Sequence, residues 1–136
     1  MSSEPRFCCA ILIDSRGRYI LERRPTTETD APGLLTSFGG TRHTDEDPEL
    51  CLRRELIEEL GFAAGEVQRV LVLHTPKGEA WFYRVLGPEE GAARALEAGY
   101  EAVWMEAQAM FASPDFSDWH RIAYEAFVAG HAIARV

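Results

Sequence analysis

The chain has 136 residues, a formal charge of -8 at neutral pH and 46% apolar residues. That length suits one domain over residues 1–136 with a sizeable core, and no apolar run approaches the ~18 residues that cross a membrane. Asp45 to Glu59 carries seven carboxylates against two arginines, which disfavours a nucleic acid polymer as partner, because phosphate contacts need Lys and Arg. The opening MSSEPRF lacks the basic flank and apolar core of a secretory signal. Three cysteines in no disulfide or zinc spacing fit a reduced, cytoplasmic setting.

Taken in order, residues 7–13 form an apolar run of strand length, predicted to be buried on both faces. Asp14-Ser15-Arg16-Gly17 reads as a turn and residues 18–24 as the return arm of a hairpin. Residues 25–33, rich in Thr, Asp and Pro, form a loop long enough to cover a substrate. Residues 34–38 lead into Gly39-Gly40. Asp47 then reads as an N-cap, Pro48 as the first helical residue and Gly61 as the stop. On that helix Glu55, Glu58 and Glu59 share an arc of roughly 100°. Leu50, Leu56, Ile57 and Leu60 make the predicted buried face, interrupted by Arg53. Like charges at three- and four-residue spacing cost a few tenths of a kcal/mol per pair, a repulsion that a bound cation would remove.

Beyond the helix, residues 66–75 and 79–86 are predicted strands joined by a turn. Trp81, Tyr83 and Val85 share one face of the second, Phe82 and Leu86 the other. Residues 100–104 read as a short strand and 105–111 as a short helix. Ser113-Pro114 opens a last helix, with Phe116, Trp119, Ala123 and Phe127 on one stripe. Mixed strands with a central and a terminal helix imply an α/β (α+β) domain whose sheet is covered on both faces.

The segment 40–62, GTRHTDEDPELCLRRELIEELGF, resembles the Nudix box: a glycine, five residues, Glu, seven residues, then Arg-Glu-apolar-x-Glu-Glu-x-Gly-apolar. Gly40, Glu46, Arg54, Glu55, Leu56, Glu58, Glu59, Gly61 and Phe62 fill every fixed position. The resemblance implies the α/β/α Nudix sandwich around a mixed sheet. It also implies a MutT-like, Mg²⁺-dependent hydrolase (Mn²⁺ as substitute) acting on a small-molecule diphosphate or nucleotide. The bond cleaved would be a diphosphate in a nucleoside diphosphate linked to another moiety, with water as nucleophile. Glu55, Glu58 and Glu59 would ligate the metal, joined by the carbonyl of Gly39. Arg54 would orient a glutamate through a forked hydrogen bond, while Gly40, Glu46 and Gly61 shape the box.

Other roles stay open at the level of sequence. Glu58 and Glu55 are both candidates for the general base. Glu101, upstream of Trp104, resembles the late glutamate that joins the metals in many relatives, with Glu97 a weaker rival. Arg23 and Arg24 are candidates for a substrate phosphate. Phe38, Trp81 and Tyr83 are candidates for stacking on a base, although sheet aromatics are more often core. Neither His43, in the box loop, nor Cys51, with nothing nearby in sequence to activate it, earns a role. Many relatives are homodimers. The alternative reading is a nucleotide-binding module without turnover; such relatives usually lose box glutamates, and this chain keeps them all.

Overall fold

The computed structural model of the chain describes residues 4–136. Its centre is β1 (Pro5–Ile13), whose side chains alternate between two cores. Cys8, Ala10 and Leu12 face one, Cys9 and Ile11 the other, as a strand buried on both faces requires. The turn after it is anchored by Asp14, whose buried carboxylate accepts from the N–H groups of Arg16 and Arg18, both at 2.9 Å. The chain returns as β2 (Tyr19–Arg23), paired antiparallel with the C-terminal half of β1.

At this point the sheet divides. β3 (Leu35–Thr36) pairs with β2, and β4 (Phe38–Thr41) pairs with the N-terminal half of β1. Ser37 is the step between the two edges. On its other side β1 runs parallel to β6 (Gly78–Leu86), which is antiparallel to β5 (Val67–Thr75). β7 (Glu101–Met105) adds to β2, and β8 (Ile133–Arg135) runs parallel to β5. The eight strands among the described residues make one mixed sheet.

One face carries α1 (Pro48–Leu60), the other α2 (Ala107–Ala112) and α3 (Asp118–Val128). The α/β/α arrangement expected from the sequence is therefore present. Trp81, Tyr83 and Val85 turn to the α1 side, and Phe82 turns to the α3 side. On the α3 side the fully buried Tyr124 ring sits edge-on to Phe116 at 5.4 Å, and its hydroxyl donates to the Ala10 carbonyl at 3.3 Å.

Two expectations are corrected. The buried arc of α1 holds Cys51, Leu52, Leu56 and Leu60, while Leu50 and Ile57 are 60% and 54% exposed. At about 100° per residue, the arc through 52, 56 and 60 passes next to Glu59 and Glu55, and Leu50 and Ile57 lie on the far side. The leucine count pointed one way and the packing another. The last helix begins at Asp118, not at Ser113-Pro114. Residues 115–117 hydrogen-bond to β3 instead: Leu35 N–H donates to Asp115 O at 2.8 Å and Ser117 N–H to Leu35 O at 3.0 Å. A backbone whose polar groups are already paired with a strand edge has none left for a helical turn.

Candidate active site

The helix end of the site is assembled from α1 and the loop before it. The Asp47 carboxylate accepts from Glu49 N–H at 3.1 Å and Leu50 N–H at 3.2 Å, satisfying the first-turn donors. Gly61 closes the helix in the left-handed conformation, φ 64°. Arg54 projects between three acids. Its Nε and Nη2 donate to the two oxygens of Glu46 at 2.8 and 3.0 Å, and Nη1 donates to Glu55 at 3.0 Å and Glu58 at 3.1 Å. This forked hold, with the His43 N–H on the same carboxylate, draws the Glu46 pKa down to about 2. Glu46 therefore serves Arg54, and Arg54 sets the rotamers of Glu55 and Glu58.

Arg54→Ala would leave three carboxylates facing each other. We expect a loss of about 2 kcal/mol of stability, read as a lower urea midpoint. Arg54→Lys should recover only part of it, because an ammonium cannot fork. Equal midpoints for Arg54→Ala and the parent chain would show the brace to be energetically idle.

Glu59 is placed differently. Its Oε1 accepts from the Gly39 N–H at 2.9 Å, and the carboxylate is largely buried. Gly40 lies against Glu55 so closely that a Cβ there would stand 2.7 Å from each carboxylate atom. A third acid comes from outside the box: Glu22, at the end of β2, is only 4% exposed. Burial, then the charges of Glu22 and Glu55, push Glu59 up to about 9. Burial lifts Glu22 to about 7, with Glu97, Glu55 and Glu28 adding to the rise and Arg24 opposing it. Glu22, Glu55 and Glu59 thus form a repelling set inside the fold, a pattern that marks functional sites. Glu22 belongs to none of the motifs in the sequence. Period-two alternation puts it on the same face as Ile20, which packs under α1, and that was the available signal.

A cleft of about 510 Å³ starts at Glu22, Gly39 and Gly40 and runs along the α3 face of the sheet to Trp119 and His120. Asp30 and Ala31 of the 25–33 loop form part of its wall. Arg24 lines it too, 3.8 Å from Glu22 and 3.6 Å from Glu28. Arg23 points elsewhere, bonding Gly33 O at 3.1 Å and Asp115 at 3.3 Å. Phe38, a candidate for stacking on a base, is wholly buried core beneath α1 and outside the cleft lining. Trp81 and Tyr83 pack on the α1 side and do not line the cleft either. Glu101 is exposed on β7 opposite Arg23, whereas the charge of Glu97 is felt at Glu22. His43 is solvent-facing. Cys51 is buried, and the adjoining Cys8 thiol together with burial pushes its pKa up, so it is no nucleophile.

Comparisons with known proteins follow the same outline. The sequence matches the NUDIX domain family over residues 3–127. Among solved structures, the MutT NUDIX hydrolase of Burkholderia pseudomallei is 26% identical, with a TM-score of 0.72 over 90% of this chain and 97% of that one. The E. coli ORF135 protein is 27% identical, with a TM-score of 0.68 over 90% of this chain and 87% of its own. The NUDIX domain of Shewanella oneidensis NrtR, solved with ADP ribose, is 16% identical with a TM-score of 0.73, covering 95% and 90%. No curated protein sequence matches.

Proposed function

The chain belongs to the Nudix family, and from that premise we propose that it is a Mg²⁺-dependent hydrolase of a diphosphate bond, with water as nucleophile. The substrate would be a nucleoside diphosphate linked to another moiety. One observation carries this reading: Glu55 and Glu59 lie in the inward part of α1 beside buried Glu22, so that three carboxylates are held against their mutual repulsion. Nothing in the packing calls for three acids there. Hard oxygen donors of this kind suit Mg²⁺ or Mn²⁺. Among the described residues no three ligating side chains converge into a finished cage, and Mg²⁺ typically keeps waters and substrate phosphates in its shell.

Glu55, Glu58 and Glu59 would hold the metal, with Gly39 and Glu101 as further donors. The Gly39 contact seen is through its N–H to Glu59. When bound, the ion neutralises phosphoryl oxygens and acidifies water. Arg54 keeps Glu55 and Glu58 oriented through Nη1. Glu58, 57% exposed at its side chain, faces solvent and takes the proton of the attacking water, with Glu55 the other candidate. Arg24, at the cleft mouth beside Glu22, provides a cation for a substrate phosphate.

The test is release of phosphate or nucleotide from a panel of nucleoside triphosphates, nucleotide sugars, ADP-ribose and dinucleoside polyphosphates. Each is run with Mg²⁺, with Mn²⁺ and with chelator. Turnover of at least one compound, abolished by chelator, is the expected result. Tight nucleotide binding with no turnover under either metal would make the chain a binding module instead.

A further inference from the structure

Three arginines near the site spend their donors differently. Arg54 commits Nε, Nη1 and Nη2 to carboxylates at 2.8 to 3.1 Å. Arg23 commits Nη1 to Gly33 O and Asp115. Arg24 makes one hydrogen bond among the described residues, from Nε to the Asp30 carbonyl at 2.8 Å. Its carboxylate neighbours, Glu28 at 3.6 Å and Glu22 at 3.8 Å, lie beyond hydrogen-bond length. The terminal N–H groups of Arg24 are therefore unspent at the wall of the cleft. Packing alone would be served as well by an arginine whose terminal donors were all bonded.

A long, charged side chain stays in such a place only if something holds it. Buried Glu22 attracts the guanidinium, and an Arg24 drawn onto the acids would crowd the place proposed for the metal. The counter-pull comes from residues 28–30 and from Tyr100, just before β7. The Tyr100 ring lies under the guanidinium, its centroid 5.6 Å from Arg24 Cζ. Its hydroxyl donates to Glu28 Oε2, the oxygen that pairs with Arg24 Nη2. The other Glu28 oxygen accepts from the Thr29 N–H at 3.1 Å. Gly99, beside Tyr100, abuts Pro25, beside Arg24: a Cβ on Gly99 would stand 3.4 Å from Pro25 Cβ. Tyr100 thus meets Arg24 twice, by its ring and through Glu28.

We propose that Tyr100 is a positioning residue for Arg24, holding its unspent N–H groups toward the cleft for a substrate phosphate. The ring supplies a platform, and the hydroxyl acts by fixing Glu28. This rests on the hydrolase reading for the phosphate that Arg24 meets.

The test is a double-mutant cycle on the whole chain, read as calorimetric binding of methylenediphosphonate, a diphosphate mimic, in Mg²⁺. Tyr100→Ala should weaken binding by about fivefold to tenfold, and Tyr100→Phe, which keeps the platform, by about threefold. In an Arg24→Ala background neither change should have any further effect, whereas a general structural loss would add to it. Tyr100→Phe serves alone if Tyr100→Ala does not fold. Equal binding by the parent chain and the Tyr100 variants overturns the proposal. So does a loss that persists in the Arg24→Ala background, or a parent chain that does not bind the diphosphonate. The two readings fail separately. Chelator-sensitive hydrolysis with Tyr100 variants that bind normally removes this proposal and keeps the hydrolase. The expected cycle with no hydrolysis of any compound does the reverse.

Discussion

Glu59→Gln is expected to abolish most diphosphate hydrolysis, by about 10³-fold in kcat/KM or more, while making the metal-free protein more stable. The two effects have one source. The glutamine keeps an oxygen for the Gly39 N–H, which now reaches Glu59 at 2.9 Å, but removes a group that must take up a proton on folding, because burial and the neighbouring Glu22 and Glu55 oppose its charge. Losing a carboxylate ligand removes several kcal/mol of transition-state stabilisation, whereas removing the cost of that proton uptake raises the melting temperature by a few degrees.

The same charge makes metal-free stability depend on pH. Glu59 is raised from an ordinary 4.5 to about 9 and Glu22 to about 7, and because they interact they titrate as a pair. Between pH 4.5 and 9 the folded state binds more protons than the unfolded state, so stability falls as pH rises. The contribution is complete below pH 4.5 and is lost by about pH 9. In chelator the melting temperature should therefore decline across that window. Glu59→Gln should flatten the decline, and added Mn²⁺ should lift the upper end of it by linkage. A variant with near-normal turnover, or one less stable than the parent in chelator at pH 8, would remove Glu59 from the site.

Gly39→Ala should cost about 3 kcal/mol or more of stability. Gly39 has φ 143°, and a Cβ there would stand 2.3 Å from Cys8 O and 2.7 Å from Cys9 Cα. Both obstacles are backbone of the central strand, which is held on both sides and cannot yield. Gly40→Ala is a useful contrast. The atoms nearest its Cβ would be those of the Glu55 carboxylate, a side-chain end that can swing, so stability should change less than turnover does. Gly65→Ala, with open space around it, should be close to neutral. The measurement is the urea midpoint of the three variants. A Gly39→Ala loss below about 1 kcal/mol would mean that β1 and β4 are not packed as described.

The sequence was most readable where local chemistry and tertiary role coincide. Asp47, Pro48 and Gly61 bound α1 because capping and left-handed closure are local events. Alternation in 79–86 sorted Trp81, Tyr83 and Val85 from Phe82 correctly, since a strand between two cores has no other choice. It was least readable where a residue's environment is made by distant segments. Leu50 and Ile57 looked like core because they are apolar, yet the sheet claims the side of α1 that carries Glu55 and Glu59. Ser113-Pro114 has the chemistry of a helix start, but β3 takes the backbone that follows. β8, three residues long, is too brief for any period to show. Tyr100 and Glu28 come from segments far apart in sequence, and no spacing rule joins them. Phe38 is one residue from Gly39, yet its side chain turns into the core beneath α1.

The parallel partnership of β1 with β6 has a consequence for how the chain acquires its form. Cys8 lies opposite Trp81 and Ile13 opposite Leu86, so the middle of the sheet cannot close until the chain has been synthesised well past its halfway point. The hairpin of β1 with β2 and the helix α1 are available much earlier, being built from neighbours. Long-range parallel pairing is slow for entropic reasons, and while it is pending one long edge of β1 is open. Cys8 and Cys9 sit on that open strand, so two thiols that are inert in the finished molecule are accessible to oxidants and to other nascent chains during its assembly.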